Sequence, residues 1–222
     1  TGISVLNRSD YEQNHSDGTG SDRFVAKYPG ALGNSLKVAI ADANTYVGWT
    51  YASSFSDSPG TSDWATAKAS ANDEVHIVVV DTTGLISGTA NTILEKYDFV
   101  SKASDAKKLD GSSNYYKDVV NNLSKYVWWT AHPASMTDWG TPATTTNTYT
   151  QLASAGSFTL TGGVNGNPTV GDLSTSYDLF ANPDSVDISL LLAGPTSAAT
   201  IPNYLISIAD TRKDCMVFIS PS

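Results

Sequence analysis

Residues 187–220 read DISLLLAGPTSAATIPNYLISIADTRKDCMVFIS, and this stretch decides the fold of the C-terminal third. Positions 187–193 run from a polar start into apolar residues, and 214–220 repeat that form. Between them, 201–212 is amphipathic at helical spacing. Pro202 is tolerated in its first turn, where a backbone N–H has no intrahelical partner. Strand, helix, strand with near-continuous apolar runs is the pattern of a parallel βαβ unit. Strands in such units are expected to be buried on both faces. The reading predicts that 187–193 and 214–220 are parallel neighbours joined by helix 201–212.

Upstream, 158–168 is a strand running into a Gly-rich turn, and 173–180 is a short helix. In 114–126, Tyr116, Val119, Val120 and Leu123 fall on one apolar stripe at i, i+3, i+4 and i+7, which predicts a helix. Residues 127–130 follow as a short strand. Three further strands are expected at 35–41, 74–80 and 93–101. The last two pair most simply as a hairpin, because the link between them is too short for a crossover helix. Residues 9–23, 53–73 and 131–156 are rich in Ser, Thr, Gly and Asp and read as polar excursions. The fold class is therefore α/β, an α+β mixed sheet in one compact body: a strand-rich part followed by a parallel βαβ portion. The expected organisation is a polar loop or linker at 1–23, a main domain at 24–157 and the start of an adjoining domain at 158–222.

Turn chemistry marks two places. Tyr28-Pro29-Gly30 and Gly33-Asn34 precede strand 35–41, where proline fixes φ and glycine accepts φ > 0. Gly162-Gly163 follows strand 158–161. A Gly-rich loop after a strand invites a phosphate-binding reading, but the Gly-x-Gly-x-x-Gly spacing and a following Gly-Lys-Ser/Thr are both missing. A tight turn is the reading that remains.

Bulk composition narrows the function. The net charge of −9 opposes binding to phosphate backbones, so nucleic acid is not expected as a direct partner. The strongest apolar run, 75–80, is far too short for a membrane span. Cys215 stands alone inside an apolar run, so no disulfide framework is expected. Nothing at the N-terminus reads as a signal peptide. A chain that opens on Thr1-Gly2 and closes just beyond a core strand is expected to be a piece of a longer protein.

No motif points to catalysis. His15, His76 and His132 lie apart, with no second His or Cys at ligand spacing, so no metal is expected. His76, inside an apolar strand, reads as a satisfied core histidine. There is no Gly-x-Ser-x-Gly elbow. Asp81 and Glu95 are the only carboxylates worth pairing, and solvated strand ends are their expected fate. The sequence thus predicts no catalytic residue, no cofactor and no metal. Trp128 and Trp129 sit on a strand and so point to opposite faces. One ring belongs to a core. The other is either an interface anchor or is covered by another layer of the same domain.

Three stretches together resemble the contractile-tail sheath proteins of T-even-type phages. One is Lys27-Tyr-Pro-Gly-Ala-Leu-Gly-Asn-Ser-Leu-Lys-Val38. The second is Leu160-Thr-Gly-Gly163 followed by Gly171-Asp172 and Tyr177-Asp-Leu-Phe-Ala181. The third, and most specific, is Ser185-Val-Asp-Ile-Ser-Leu-Leu-Leu-Ala-Gly194 with Ser207-Ile-Ala-Asp-Thr-Arg-Lys-Asp-Cys-Met-Val-Phe-Ile-Ser-Pro221. The resemblance runs through nearly all of 24–222. It implies a structural subunit of the helical sleeve that contracts around a tail tube during DNA injection. It also implies other sheath subunits, tube and baseplate as partners, a place in the virion, and assembly in the host cytoplasm. Sheath subunits are multidomain, with terminal arms that add strands to neighbours. This chain looks like a middle domain plus the start of the next, without those arms. It is therefore expected to be a monomer or weak oligomer on its own. The alternative is a non-catalytic surface module that binds a host or carbohydrate ligand through Trp and Tyr on one open face; Trp49, Trp64, Trp128, Trp129 and Trp139 fall in different segments, so their convergence is left open by the sequence.

Overall fold

A computed structural model describes residues 3–133, 136–144, 147–194 and 200–219. In chain order the elements are α1 (Arg8–Asn14), β1 (Phe24–Ala26), a 3-10 turn (Ala31–Ser35), β2 (Leu36–Ala41), a second 3-10 turn (Ala52–Ser54), α2 (Asp63–Ala67), β3 (Glu74–Asp81), β4 (Thr92–Ser101), α3 (Tyr116–Leu123), β5 (Val127–Trp129), β6 (Gly156–Thr159), α4 (Val170–Asp178), β7 (Leu190–Leu192), α5 (Thr200–Arg212) and β8 (Met216–Phe218). The chain forms two compact units, one ending at Asn165 and the other starting at Gly166, not the single body expected. Positions 134–135, 145–146 and 220, which fall inside expected excursions and a strand, lie outside the described residues.

The first unit is built on a four-stranded antiparallel sheet in the order β4-β3-β2-β6. The β3–β4 hairpin is as expected. Its centre strand β3 is buried on both faces, which is why Glu74–Asp81 reads as an apolar run and not as an alternation. Val75, Ile77 and Val79 face a large core shared with Tyr116, Val120 and Trp129. Val78 and Val80 face a second core with Trp49 and Phe55. The excursion at 53–73 therefore carries Phe55 into the interior. A two-stranded antiparallel sheet pairs β1 with β5, register Val25 opposite Trp128.

Two local expectations change. Residues 9–23 are not all loop, because α1 occupies their start. Asn7 caps it by accepting the Asp10 N–H, Asp10 accepts the Leu6 N–H in return, and Arg8 pairs with Glu12 one turn on. The helix buries only Tyr11, so it shows no apolar stripe to find in the sequence. β6, expected to open the adjoining domain, pairs with β2 inside the first unit.

In the second unit β7 and β8 are parallel, with Leu190 opposite Met216 and Leu192 opposite Phe218, joined through α5 as expected. The mixture of strand directions is thus distributed between sheets. Burial on both faces does not hold. α4 and α5 cover one face, around Leu191, Ile201, Leu205 and Ile208. Leu190, Leu192, Met216 and Phe218 are 58%, 63%, 61% and 50% exposed on the other. Among the described residues, one face of this pair is covered and the other is exposed. Among the described residues no helix is long and apolar enough to cross a membrane.

Candidate functional site

The turn residues singled out in the sequence converge. Pro29-Gly30 leads into the 3-10 turn, with Gly30 at φ 127, a region that favours glycine. Asn34, at the end of that turn, faces the segment leaving β6. Its side-chain Nδ2 donates to the Gly163 carbonyl at 2.7 Å, and its Oδ1 accepts the Gly163 N–H at 2.7 Å. One amide side chain thus imitates a strand partner for Gly163. A Cβ at Gly163 would lie 2.2 Å from the Gly30 carbonyl oxygen, so the position admits only glycine without movement. The Ala31 N–H donates to Asn165 Oδ1 at 2.8 Å. Gly33 lies against Ala26 of β1, with no room for a Cβ. Gly162 adopts φ 81, and Tyr28 is exposed. These contacts make a structural knot, not a phosphate cradle: the backbone N–H groups of Ala31 and Gly163 are already donated to asparagine oxygens.

A groove of about 780 Å³ runs beside the knot, lined among others by Val5, Phe24, Tyr28, Asn34, Phe158 and Gly163. Its walls include β1 and β6, each at the edge of its sheet. Edge strands offer main-chain hydrogen bonds to an extended segment. Nothing lining the groove is arranged as an acid–base pair or a nucleophile with its base.

Both tryptophans of β5 are covered within this chain. Trp129 is buried in the main core, and its Nε1–H donates to Tyr116 Oη at 2.9 Å. Trp128, on the opposite face, stacks on Tyr11 of α1 at 4.6 Å, with the Lys27 ammonium 3.7 Å from its ring centroid. The covering layer is α1, the helix that the apolar pattern does not announce. Neither ring is presented as an open anchor.

The histidines and carboxylates are structural. His76 is fully buried and stacks on Phe55 at 4.1 Å. Its Nδ1 accepts the Phe99 N–H at 3.1 Å, and its Nε2 is 2.9 Å from the Asp57 carbonyl, which selects the neutral ring protonated at Nε2. Burial lowers its pKa. Phe99 sits at φ 49 in the irregular β3–β4 pairing, and the His76 contact holds that strained residue in place. His132 Nδ1 lies 2.5 Å from Tyr116 Oη. That hydroxyl accepts from Trp129 and so donates to a neutral His132. Burial, with the Lys117 and Arg23 charges nearby, lowers His132 to about 4.

Asp81 is not the solvated strand end expected. It is fully buried and accepts from the Ser35 and Ser87 hydroxyls and from the backbone N–H groups of Gly84, Ile86 and Ser87. Burial alone would raise its carboxyl, but these donors outweigh it and hold the pKa well below the usual carboxylate range. Glu95 instead accepts from Tyr97 Oη and the Lys125 N–H, so the two carboxylates are not brought together. Among the described residues no group of His, Cys, Asp and Glu could hold a metal ion.

Two polar residues carry structural roles that sequence reasoning does not single out. Lys102 is fully buried, with its Nζ 3.2 Å from Asp42 Oδ2 and donating to the Asn72 and Thr150 carbonyls, over the face of Trp139. Arg212, at the end of α5, donates to the Phe180 and Val186 carbonyls and makes two bonds to Asp214. The signal for Arg212 in the sequence is its place in the Arg-Lys-Asp-Cys step.

The chain is similar to two tail sheath proteins of phages. It is 28% identical to the tail sheath protein of Enterobacteria phage T4 over 211 residues, 89% of this chain and 28% of that protein. It is 26% identical to the tail sheath protein of Salmonella phage ViI over 163 residues, 70% of this chain and 22% of that protein. The chain thus spans less than a third of these relatives, and the T-even-type sheath resemblance read from the residues is borne out by them. A sheath tail protein of Listeria innocua of known structure aligns with 86% of this chain and 28% of its own, at 12% identity and a TM-score of 0.38. That score is too low to equate the folds, so the reading rests on the sequence relatives. No family model matches the chain.

Proposed function

We propose that this chain is a rigid structural module of a phage contractile-tail sheath subunit, one repeat of the sleeve that surrounds a tail tube and shortens during DNA injection. The observation that carries the reading is the similarity to two phage tail sheath proteins over most of the chain. The geometry agrees with it. Every buried ionisable group described above is engaged in holding the fold, and the aromatic residues of β5 are spent on internal cores. A sheath works by moving rigid bodies while their contacts exchange, which needs such cores and no bond-making centre. The module has no catalytic role and takes no cofactor. Its partners are other sheath subunits, with tube and baseplate reached through the full subunit, and its place is the virion after assembly in the host cytoplasm. The middle domain corresponds to the first unit, through Asn165, and the adjoining domain to the second, from Gly166. The test is electron microscopy of the full-length gene product expressed alone. Tubular polysheath with a helical repeat is expected. Dispersed particles at every salt and concentration tried would count against the proposal.

A further inference from the structure

The segment leaving β6 is tied at one end to the knot and, beyond Pro168, to a helix cap. Residues 161–169 have no regular secondary structure, and nearly all are exposed. An exposed segment of this composition ought to be loose. Yet Gly163 is held by both polar atoms of the Asn34 side chain, and Asn165 is held by the Ala31 N–H. At the far side, Thr169 and Asp172 form a reciprocal capping box that starts α4. Only Gly166, Asn167 and Pro168 are left between the two ties, and the boundary between the compact units falls at Gly166.

We infer that Asn34, with the Asn165–Ala31 tie beside it, is a tether stop: together they fix the length of the link between the two units by holding Thr161–Asn165 to the first one. Three independent features support this over an ordinary turn. The contact bridges 129 positions of sequence, so it is not a local turn bond. It satisfies Gly163 on both its donor and its acceptor. And Gly163 has lost the space for any side chain on account of the approach to Gly30. If both ties are released, the flexible link grows from Gly166–Pro168 to Thr161–Pro168. Chain reach scales with the number of free residues, so the link lengthens accordingly.

Hydrogen exchange on the whole chain tests this, with one spin label placed on an exposed residue of each unit. In the native chain the Gly163 amide is expected to be protected although it lies in an irregular, exposed segment. Asn34→Ala should speed its exchange about tenfold or more, the loss of two ordinary hydrogen bonds, while Val38 and Phe158 amides in the β2–β6 ladder stay protected. The distance distribution between the labels should widen once Asn165→Ala is added to Asn34→Ala, because both ties are then gone. Asn34→Asp retains the acceptor for the Gly163 N–H and loses only the donor, so it should fall between the two. Asn165→Ala removes the second tie alone and serves if Asn34→Ala fails to fold. A Gly163 amide that exchanges freely in the native chain would overturn the inference. So would a released amide in the Asn34→Ala, Asn165→Ala double variant with no widening between labels, which would make the two asparagines turn residues only.

Discussion

At the scale of single residues, the buried polar groups set the pH response. Burial, with the Lys117 and Arg23 charges nearby, lowers the His132 pKa from 6.5 to about 4. A lowered basic group stabilises the fold while it is neutral. That contribution is complete above pH 6.5 and is lost as pH falls toward about 4. Each tenfold fall in proton affinity on folding is worth about 1.4 kcal/mol, and less where solvent reaches the ring. Urea midpoints of the first unit should therefore fall between pH 7 and pH 5, and His132→Asn should flatten the slope. The Lys102–Asp42 pair gives a second prediction. Lys102→Met leaves Asp42 buried without its cation and should cost about 3 kcal/mol or more. Adding Asp42→Asn should recover part of that loss, read as a coupling in a double-mutant cycle. An additive pair would mean the two charges are independent. Neither group is legible in the sequence, because Lys102 and Asp42 are far apart in the chain and each reads as a surface charge. Asp81 misleads for the same reason: its donors come from the neighbouring turn and from Ser35, which no local pattern announces.

At the scale of elements, periodicity works where apolar residues face one core. α3 follows from its stripe, the β3–β4 hairpin from two strand runs with a short link, and the parallel pair β7–β8 from two apolar runs with a helix between. α1 is hidden because one buried residue, Tyr11, makes no stripe, and its helix is set by Asn7 and Asp10 at the cap. Its cover over Trp128 explains why that ring looks free in the sequence. Tyr11→Ala should remove the stack and the bond from Tyr11 Oη to the Trp129 carbonyl. The expected cost is about 3 kcal/mol, seen as a lower unfolding midpoint and a red-shifted Trp emission. An unchanged spectrum would mean that α1 does not seal that face. In the second unit, Arg212 ties the ends of two segments to α5 through a guanidinium fork. Arg212→Lys keeps the charge but cannot reach both carbonyls, and should destabilise that unit by about 1–3 kcal/mol while leaving the first unit's melt unchanged. The turn chemistry of Tyr28 to Asn34 and of Gly162-Gly163 can be read residue by residue. That the two stretches bind each other cannot, since a contact across the chain leaves no trace in either one alone.

At the scale of the whole molecule, the two-unit organisation and the half-covered sheet of the second unit are the features that local pattern does not carry. Strand runs suggest one mixed sheet, because direction and sheet membership are set by long-range pairing and not by the residues of each strand. The acidic balance and the spent aromatics leave a module suited to being carried within an assembly. The isolated chain should sediment as a monomer or weakly associating species at micromolar concentration; a tight ring would place the assembly energy in its own surfaces. Repetition of this module along a tail sheath can be seen by immuno-electron microscopy of contractile-tailed virions with antibodies raised against residues 1–222. Label is expected along the length of the tail, in register with the sheath and shortening with it on contraction. Label confined to the capsid, the tail tip or the fibres would contradict it, and would favour a host-binding module in its place.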